Sequence, residues 1–165
     1  MEKTIQIGIN GFGRIGRTLF RLLINHPTIN VNIINDISDA HTLCHLLKYD
    51  SIHGVLKEEV KATNNGISIA NQTIRFSSEK NIKKIDWGKL DFVIECSGKY
   101  KTRKQLQHHI TNGAKKVILS VPPEDESIKT IVVGVNDSII NSEDVIISNA
   151  SCTTNNAAPM LQIIN

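Results

Sequence analysis

Several things are scarce in this chain of 165 residues, and each scarcity argues against something. Cysteine occurs three times, at Cys44, Cys96 and Cys152, an odd number with no short spacing. That argues against a disulfide framework and against a cysteine-rich zinc site, and no metal ligand set is assigned. It points instead to a reducing cytoplasm. No apolar run approaches the length of a membrane span, so no membrane partner is expected. The opening MEKTIQIGIN has an acidic second residue and no small-residue cleavage site, and no secretory leader is read there. Charge of one sign is also in short supply. The formal net charge is +3, and the lysines are scattered, with small groups only at Lys83 and Lys84, Lys99 and Lys101, and Lys115 and Lys116. Such a spread reads as a solvated surface rather than a stripe for nucleic acid. There is no internal repeat, low-complexity tract or interdomain linker. What remains is an ordinary globular mix, long enough for one domain with a real core.

Turning to what is present, the stretch TIQIGIN (4–10) alternates isoleucines with small or polar residues and reads as a strand. Glycines follow at Gly11, Gly13 and Gly16. RTLFRLLIN then has helix-like apolar spacing and stops before Pro27. VNIIND (31–36) is a second strand, which completes one βαβ unit. DAHTLCHLLKYD (39–50) has helical spacing. EEVKA, GISIA and TIRFS are short β-like pieces separated by turn residues at 64–66 and 71–72, an antiparallel insertion. LDFVIECSG (90–98), KKVILSV (115–121), TIVVGVN (130–136) and DVIISN (144–149) read as further strands, and TRKQLQHHITNG (102–113) as a helix. The predicted class is α/β: a Rossmann-type, doubly wound, mostly parallel sheet with helices on both faces and a short antiparallel insertion.

The run INGFGRIGR holds Gly11-x-Gly13-x-x-Gly16 between a strand and a helix. The first glycine permits the tight turn, the second lets backbone approach a pyrophosphate, and the third lets helix and strand pack closely. The free N–H groups and dipole at the helix start favour an anion there. Asp36 stands twenty residues after Gly16, at the end of the second strand. An acid there accepts hydrogen bonds from a ribose diol and repels a 2′-phosphate. The combination favours NAD over NADP, against the alternative of a plain glycine turn with a solvent-facing Asp36.

A second run of interest is ISNASCTTNNAAP (147–159). Ser151 is placed to cap a helix beginning at Cys152, and the positive helix end favours a thiolate there. If the helix starts at Cys152, Pro159 lies inside it and should kink it. If Pro159 is the first helical residue, the thiol sits in a loop instead. Taken alone, the motif leaves both arrangements open, and a buried inert cysteine is the commoner fate. Cys44 and Cys96 read as core residues. The six histidines offer no clear base. His41 and His45 are four apart on one helix face, a candidate metal pair with no third ligand nearby.

With these residues in view, the chain resembles the N-terminal part of phosphorylating glyceraldehyde-3-phosphate dehydrogenase. The likeness runs from Ile5 to the last residue and is carried by INGFGRIGR (9–17), IND (34–36), YDSIHG (49–54), IDWG (85–88), ECSG (95–98), GAKKVILS (113–120), GVN (134–136) and, above all, SNASCTTN (148–155). The resemblance implies an NAD-dependent oxidoreductase that converts glyceraldehyde 3-phosphate and phosphate to 1,3-bisphosphoglycerate through a thioester on Cys152. It implies that Ser151 and Thr153 contact substrate. Arg14 and Ile15 would meet the pyrophosphate, with Asn10 supporting the turn, and Asp36 would hold the adenosine ribose. Lys80 falls where the family usually has an arginine near the adenine. Ser97, Gly98 and Ser120 would line the nicotinamide half. The chain departs from the family pattern at Ile82, Lys99, Lys101, Val121 and Pro123, and carries Asn156 where many members have a second cysteine.

Family members are considerably longer, and no histidine follows Cys152 here. The expectation is therefore an NAD-binding domain over 1–151 and the start of a catalytic domain over 152–165, a fragment that lacks efficient turnover. The parent would be a homotetramer, and the fragment would self-associate through uncovered apolar surface. Two alternatives stay open: a non-catalytic NAD-binding module, and a fragment of the related erythrose-4-phosphate dehydrogenase.

Overall fold

A computed structural model describes residues 4–64, 66–70 and 72–164. The expected turn residues Asn65 and Asn71 lie outside the described residues. The chain forms β1 (Ile5–Asn10), α1 (Arg14–Leu23), β2 (Ile29–Asn35), α2 (Ala40–Lys48), β3 (Tyr49–Asp50), β4 (Gly54–Val55), β5 (Val60–Thr63), β6 (Gly66–Ile69) and β7 (Gln72–Ser77). It continues with β8 (Leu90–Glu95), α3 (Arg103–Thr111), β9 (Ala114–Leu119), β10 (Lys129–Thr130), β11 (Ile146–Ser148) and α4 (Cys152–Ile164).

Nine strands form one sheet in the order β10-β11-β9-β8-β1-β2-β7-β6-β5. From β10 to β7 every pairing is parallel. The expected insertion is the meander β5, β6 and β7, antiparallel within itself and joined to the main sheet where β7 lies parallel to β2. The chain leaves β1 toward β2 on one side and later returns to β8 on the other. The order thus reverses beside β1, and in such sheets ligands sit outside the carboxyl ends of the strands at that point.

Alternation along the strands builds a core on each face. Ile7 and Ile9 of β1, with Phe92 and Ile94 of β8, pack with Phe20 of α1 and with Leu43 and Leu47 of α2. Val93 points the other way, to a cluster with Ile85, Trp87 and Leu90, and Leu106 of α3 packs with Val117 and Leu119 of β9. Gly8 marks that opposite face of β1. A Cβ there would lie 2.8 Å from the Trp87 ring, so the glycine makes room for the indole.

Two expectations change. TIVVGVN is not a strand over 130–136: only Lys129–Thr130 pairs. The Asn136 side chain folds back, accepting from Val132 N at 2.7 Å and donating to Thr130 O at 3.0 Å. Gly134 turns at a φ of +80°, and these local bonds replace the ladder. The open question about Pro159 also resolves: α4 begins at Cys152 and runs through the proline.

Candidate nucleotide site and thiol

The carboxyl ends of β1, β2 and β8 bring Asn10, Asn35 and Glu95 together. Beyond Asn10 the chain turns on Gly11, whose φ is +89°. A Cβ at Gly11 would lie 2.5 Å from the Ser97 backbone, so the turn and the loop after β8 touch at a distance only glycine allows. Phe12 is fully buried and meets Phe20 edge-on, with ring centroids 5.6 Å apart, which pins the turn to α1. A Cβ at Gly16 would lie 2.2 Å from Gly11 O, so this glycine packs the first turn of α1 against the loop.

Gly13 is different. It caps α1 without a side chain, at an ordinary φ of −69°, and a Cβ there would meet nothing within 4 Å. The space in front of it is open. The first turn of α1 carries no acidic residue. Its leading N–H groups have no intrahelical acceptor, a setting made for an anion.

A cleft of about 320 Å³ opens here, lined by Asn10, Gly13, Asp36, Lys80, Ser97 and Tyr100 among others. The Asp36 carboxylate accepts from Phe12 N at 2.7 Å and from Ser38 N at 2.8 Å. A carboxylate has about four acceptor positions, so it keeps capacity toward a diol. Lys80 is exposed, and its carbonyl accepts from the Tyr100 hydroxyl at 3.1 Å. Ser120 stands half-buried just beyond β9, and its shielded Oγ lacks a regular hydrogen-bond partner among the described residues. It lies against Cys96, which lines the cleft. Burial pushes the Cys96 thiol up to about 11, against a smaller opposing pull from Ser120. Burial likewise raises the thiol of Cys44 in α2. Both shifts work against a thiolate at neutral pH.

Of the residues expected at a cofactor, the structure gathers Asn10, Gly11, Gly13, Asp36, Lys80 and Ser97 around one cleft. Gly16 packs beneath it. Gly98 follows Ser97 at a φ of +70° and is exposed. Arg14 and Ile15 stand at the start of α1 but line a second cleft, with Asp50 and His53. Asn35, Glu79 and Tyr100 also line the main cleft and were not anticipated from the sequence. Asn35 sits directly before Asp36 at the end of an apolar strand, which was the available signal.

Cys152 lies outside that lining, exposed, as the first residue of α4. Ser151 caps the helix as expected: its Oγ accepts from Thr154 N at 2.9 Å. The chain reaches Ser151 through Ala150, buried and at a φ of +57°. A left-handed alanine is a strained link, held in place by its own N–H bond to Ser148 Oγ at 3.1 Å. The thiol's nearest polar partner among the described residues is Thr153 Oγ1, at 4.0 Å. His41 is exposed, and His45 stacks near Tyr49 at 4.9 Å between ring centroids. Among the described residues no group of three or more His, Cys, Asp or Glu side chains is arranged to hold a metal, and no helix is long and apolar enough to cross a membrane.

The site fits a dinucleotide on its own geometry: open space at Gly13, an unblocked helix start and an acid across the cleft. Comparison with known proteins agrees. Residues 5–103 match the family model described as "Glyceraldehyde 3-phosphate dehydrogenase, NAD binding domain". The chain is 44% identical over 165 residues to glyceraldehyde-3-phosphate dehydrogenase of Mycoplasma pneumoniae, covering 99% of this chain and 49% of that protein. It is 44% identical over 164 residues to glyceraldehyde-3-phosphate dehydrogenase 1 of Bacillus subtilis (98% of this chain, 49% of the relative). It is 48% identical over 166 aligned positions to the Streptomyces coelicolor enzyme (98% and 49%). The chain spans about half the length of the curated relatives it matches. It belongs to the glyceraldehyde-3-phosphate dehydrogenase family, and residues 5–103 are the part that matches that family's NAD-binding domain.

Proposed function

We propose that this chain is the nucleotide-binding and thiol-bearing part of an NAD-dependent, phosphorylating dehydrogenase acting on glyceraldehyde 3-phosphate. The observation that carries the reading is the open space before Gly13 at the uncapped start of α1, with Asp36 across the same cleft. In this reading Asn10, Gly11, Gly13, Gly16, Arg14 and Ile15 form and flank the pyrophosphate site. Asp36 takes the adenosine ribose, and Lys80 lies on the adenine side. Ser97, Gly98 and Ser120 lie toward the nicotinamide.

NAD, when bound, supplies the hydride acceptor. Cys152 does the covalent work. Its Sγ attacks the aldehyde carbon, the carbonyl π pair moves to the oxygen, and the proton given up by the thiol is matched by one taken up at that oxygen as the thiohemiacetal forms. Loss of hydride from that carbon and of the proton from its oxygen leaves an acyl thioester on Sγ. A phosphate oxygen then attacks the acyl carbon and releases the thiolate, giving the acyl phosphate. Ser151 and Thr153 flank the thiol and are placed to bind substrate. Ser151 also fixes the helix start that favours the thiolate. Among the described residues no hydrogen-bonded base stands beside Cys152, so in this reading efficient turnover draws on one from elsewhere in the assembly, and the two functional parts divide at 151/152.

Asp36→Ala tests the cofactor assignment. Removing a charged acceptor for the ribose is expected to weaken NAD binding about tenfold and to narrow the preference over NADP by a similar factor. Calorimetric titration reads both. An unchanged preference between the two cofactors would remove Asp36 from the site.

A further inference from the structure

From Asn10 and Asn35 at the cleft, a chain of buried polar side chains runs back into the core. Glu95 and His109 are fully buried, and Asn10 and Asn35 are 3% exposed. Glu95 Oε2 accepts from Asn10 Nδ2 at 2.5 Å and meets His109 Nε2 at 2.9 Å. Glu95 Oε1 accepts from Ser97 N at 2.8 Å and from the Ser97 hydroxyl. On the far side, Trp87 Nε1 donates to His109 Nδ1 at 2.9 Å. On the near side, Asn35 Nδ2 donates to Asn10 Oδ1 at 2.9 Å, and Glu79 N donates to Asn35 Oδ1 at 2.9 Å.

The direction of the bonds from Trp87 and from Glu79 is forced from the ends. An indole N–H and a backbone N–H can only donate. Trp87 therefore makes His109 Nδ1 an acceptor, which leaves the proton on Nε2, pointing at Glu95. Glu79 N makes Asn35 Oδ1 an acceptor, so its amide donates to Asn10, whose own amide then donates to Glu95. Ser97 N occupies the other carboxylate oxygen. Each carboxylate oxygen accepts from at least one N–H, a donor set that favours the ionised form of Glu95, and its histidine neighbour is neutral. Among the described residues no lysine or arginine pairs with it. Two of its donors, Asn10 and Ser97, line the cleft.

We infer that Glu95 is a buried, uncompensated carboxylate that positions Asn10 and Ser97 in the cleft and biases it toward the oxidised, less negatively charged form of the cofactor. The positioning follows from the converging bonds: each residue is held by a charge-assisted hydrogen bond, stronger than a neutral one. The bias follows from charge alone. NADH carries one more negative charge than NAD, and a fixed anion one hydrogen bond behind the wall repels it more. This inference rests on the cofactor reading above, and its test separates the two.

The first arm needs no cofactor. Nitrogen-15 spectra of the histidine rings in the unmodified chain are expected to show His109 as the neutral Nε2–H tautomer. An imidazolium or an Nδ1–H tautomer would overturn the charge assignment. The second arm compares NAD and NADH affinities before and after Glu95→Gln, with circular dichroism as the check on folding. NAD binding is expected to weaken by about tenfold, and the NAD-to-NADH affinity ratio to fall by about threefold or more, the scale of a charge acting through a half-solvated cleft. Equal losses for both forms would make Glu95 structural only. If Glu95→Gln does not fold, Trp87→Phe removes the terminal donor while keeping an aromatic ring. The Glu95 carboxylate should still hold the proton on His109 Nε2; a switch to the Nδ1–H tautomer, which would turn an acceptor toward Glu95, overturns the charge assignment. An unmodified chain that binds neither cofactor overturns the cofactor reading and leaves the tautomer result to decide the charge.

Discussion

Gly13→Ala is expected to leave the fold intact and to weaken NAD binding by at least about tenfold, a loss of roughly 1.4 kcal/mol or more. The two halves of this expectation have separate causes. The backbone of Gly13 is at φ −69°, where alanine is at ease, and the added methyl would meet no atom within 4 Å. The variant loses a little as a helix cap and gains a little from a less flexible unfolded chain, so the two effects come close to cancelling. The open space that makes the substitution harmless to folding is the space assigned to the pyrophosphate. A methyl there holds the phosphates off the N–H groups of α1. Thermal unfolding and calorimetric titration on one preparation give both numbers. A folded variant with undiminished affinity would place the pyrophosphate elsewhere.

Gly16→Ala is expected to do the opposite: to strike stability directly. Its Cβ would lie 2.2 Å from Gly11 O and 3.2 Å from Ile9 Cγ2. The first is backbone in a turn already fixed by Gly11 and Phe12, and Ile9 is fully buried in β1. Neither can yield without moving α1 away from the sheet. Such overpacking costs about 3 kcal/mol, at the upper end of the usual range. For a chain of this size that is a fall in melting temperature of roughly 6–12 °C. Urea unfolding gives the free energy independently. A melting temperature equal to that of the unmodified chain would mean that helix and turn are not packed as described. The three glycines of one motif therefore separate: Gly11 and Gly16 leave no room for a Cβ in the fold, and Gly13 leaves open space, which the proposed function gives to the ligand.

That separation shows what the sequence could and could not yield. The spacing of Gly11, Gly13 and Gly16 between a strand and a helix already pointed to a tight turn at the first and close packing at the third, where the structure leaves no room for a Cβ. Asp36 was equally legible, because the end of the second strand of a βαβ unit has a fixed place beside the turn. The antiparallel insertion could be read from three short β segments with turn residues between them. TIVVGVN could not be read correctly from its apolar content alone. The side chain that prevents a long strand, Asn136, bonds backward to Val132 and Thr130, and nothing in the pattern announces that choice. The effect of Pro159 was undecided for a related reason. A proline within a helix costs a backbone bond, and the local sequence does not say whether the rest of α4 outweighs it.

The buried polar chain was the least legible part. His109 was one of six histidines that offered no clear base, and nothing in the pattern singled out Trp87. Only the packing of α3 against the segment before β8 brings the ring and the indole together. Glu95 did leave a trace, as a charged residue closing an otherwise apolar strand. A buried charge of that kind needs several donors, and those came from three separate segments: Asn10, Ser97 and His109.

The central claim is that the cleft between the glycine turn and Asp36 is a working NAD site. Calorimetric titration of the unmodified chain with NAD and with NADP at neutral pH tests it most directly. The account predicts saturable binding of one NAD per chain, with NADP bound at least about tenfold more weakly because Asp36 faces its 2′-phosphate. A folded chain that binds neither, or that prefers NADP, would contradict it.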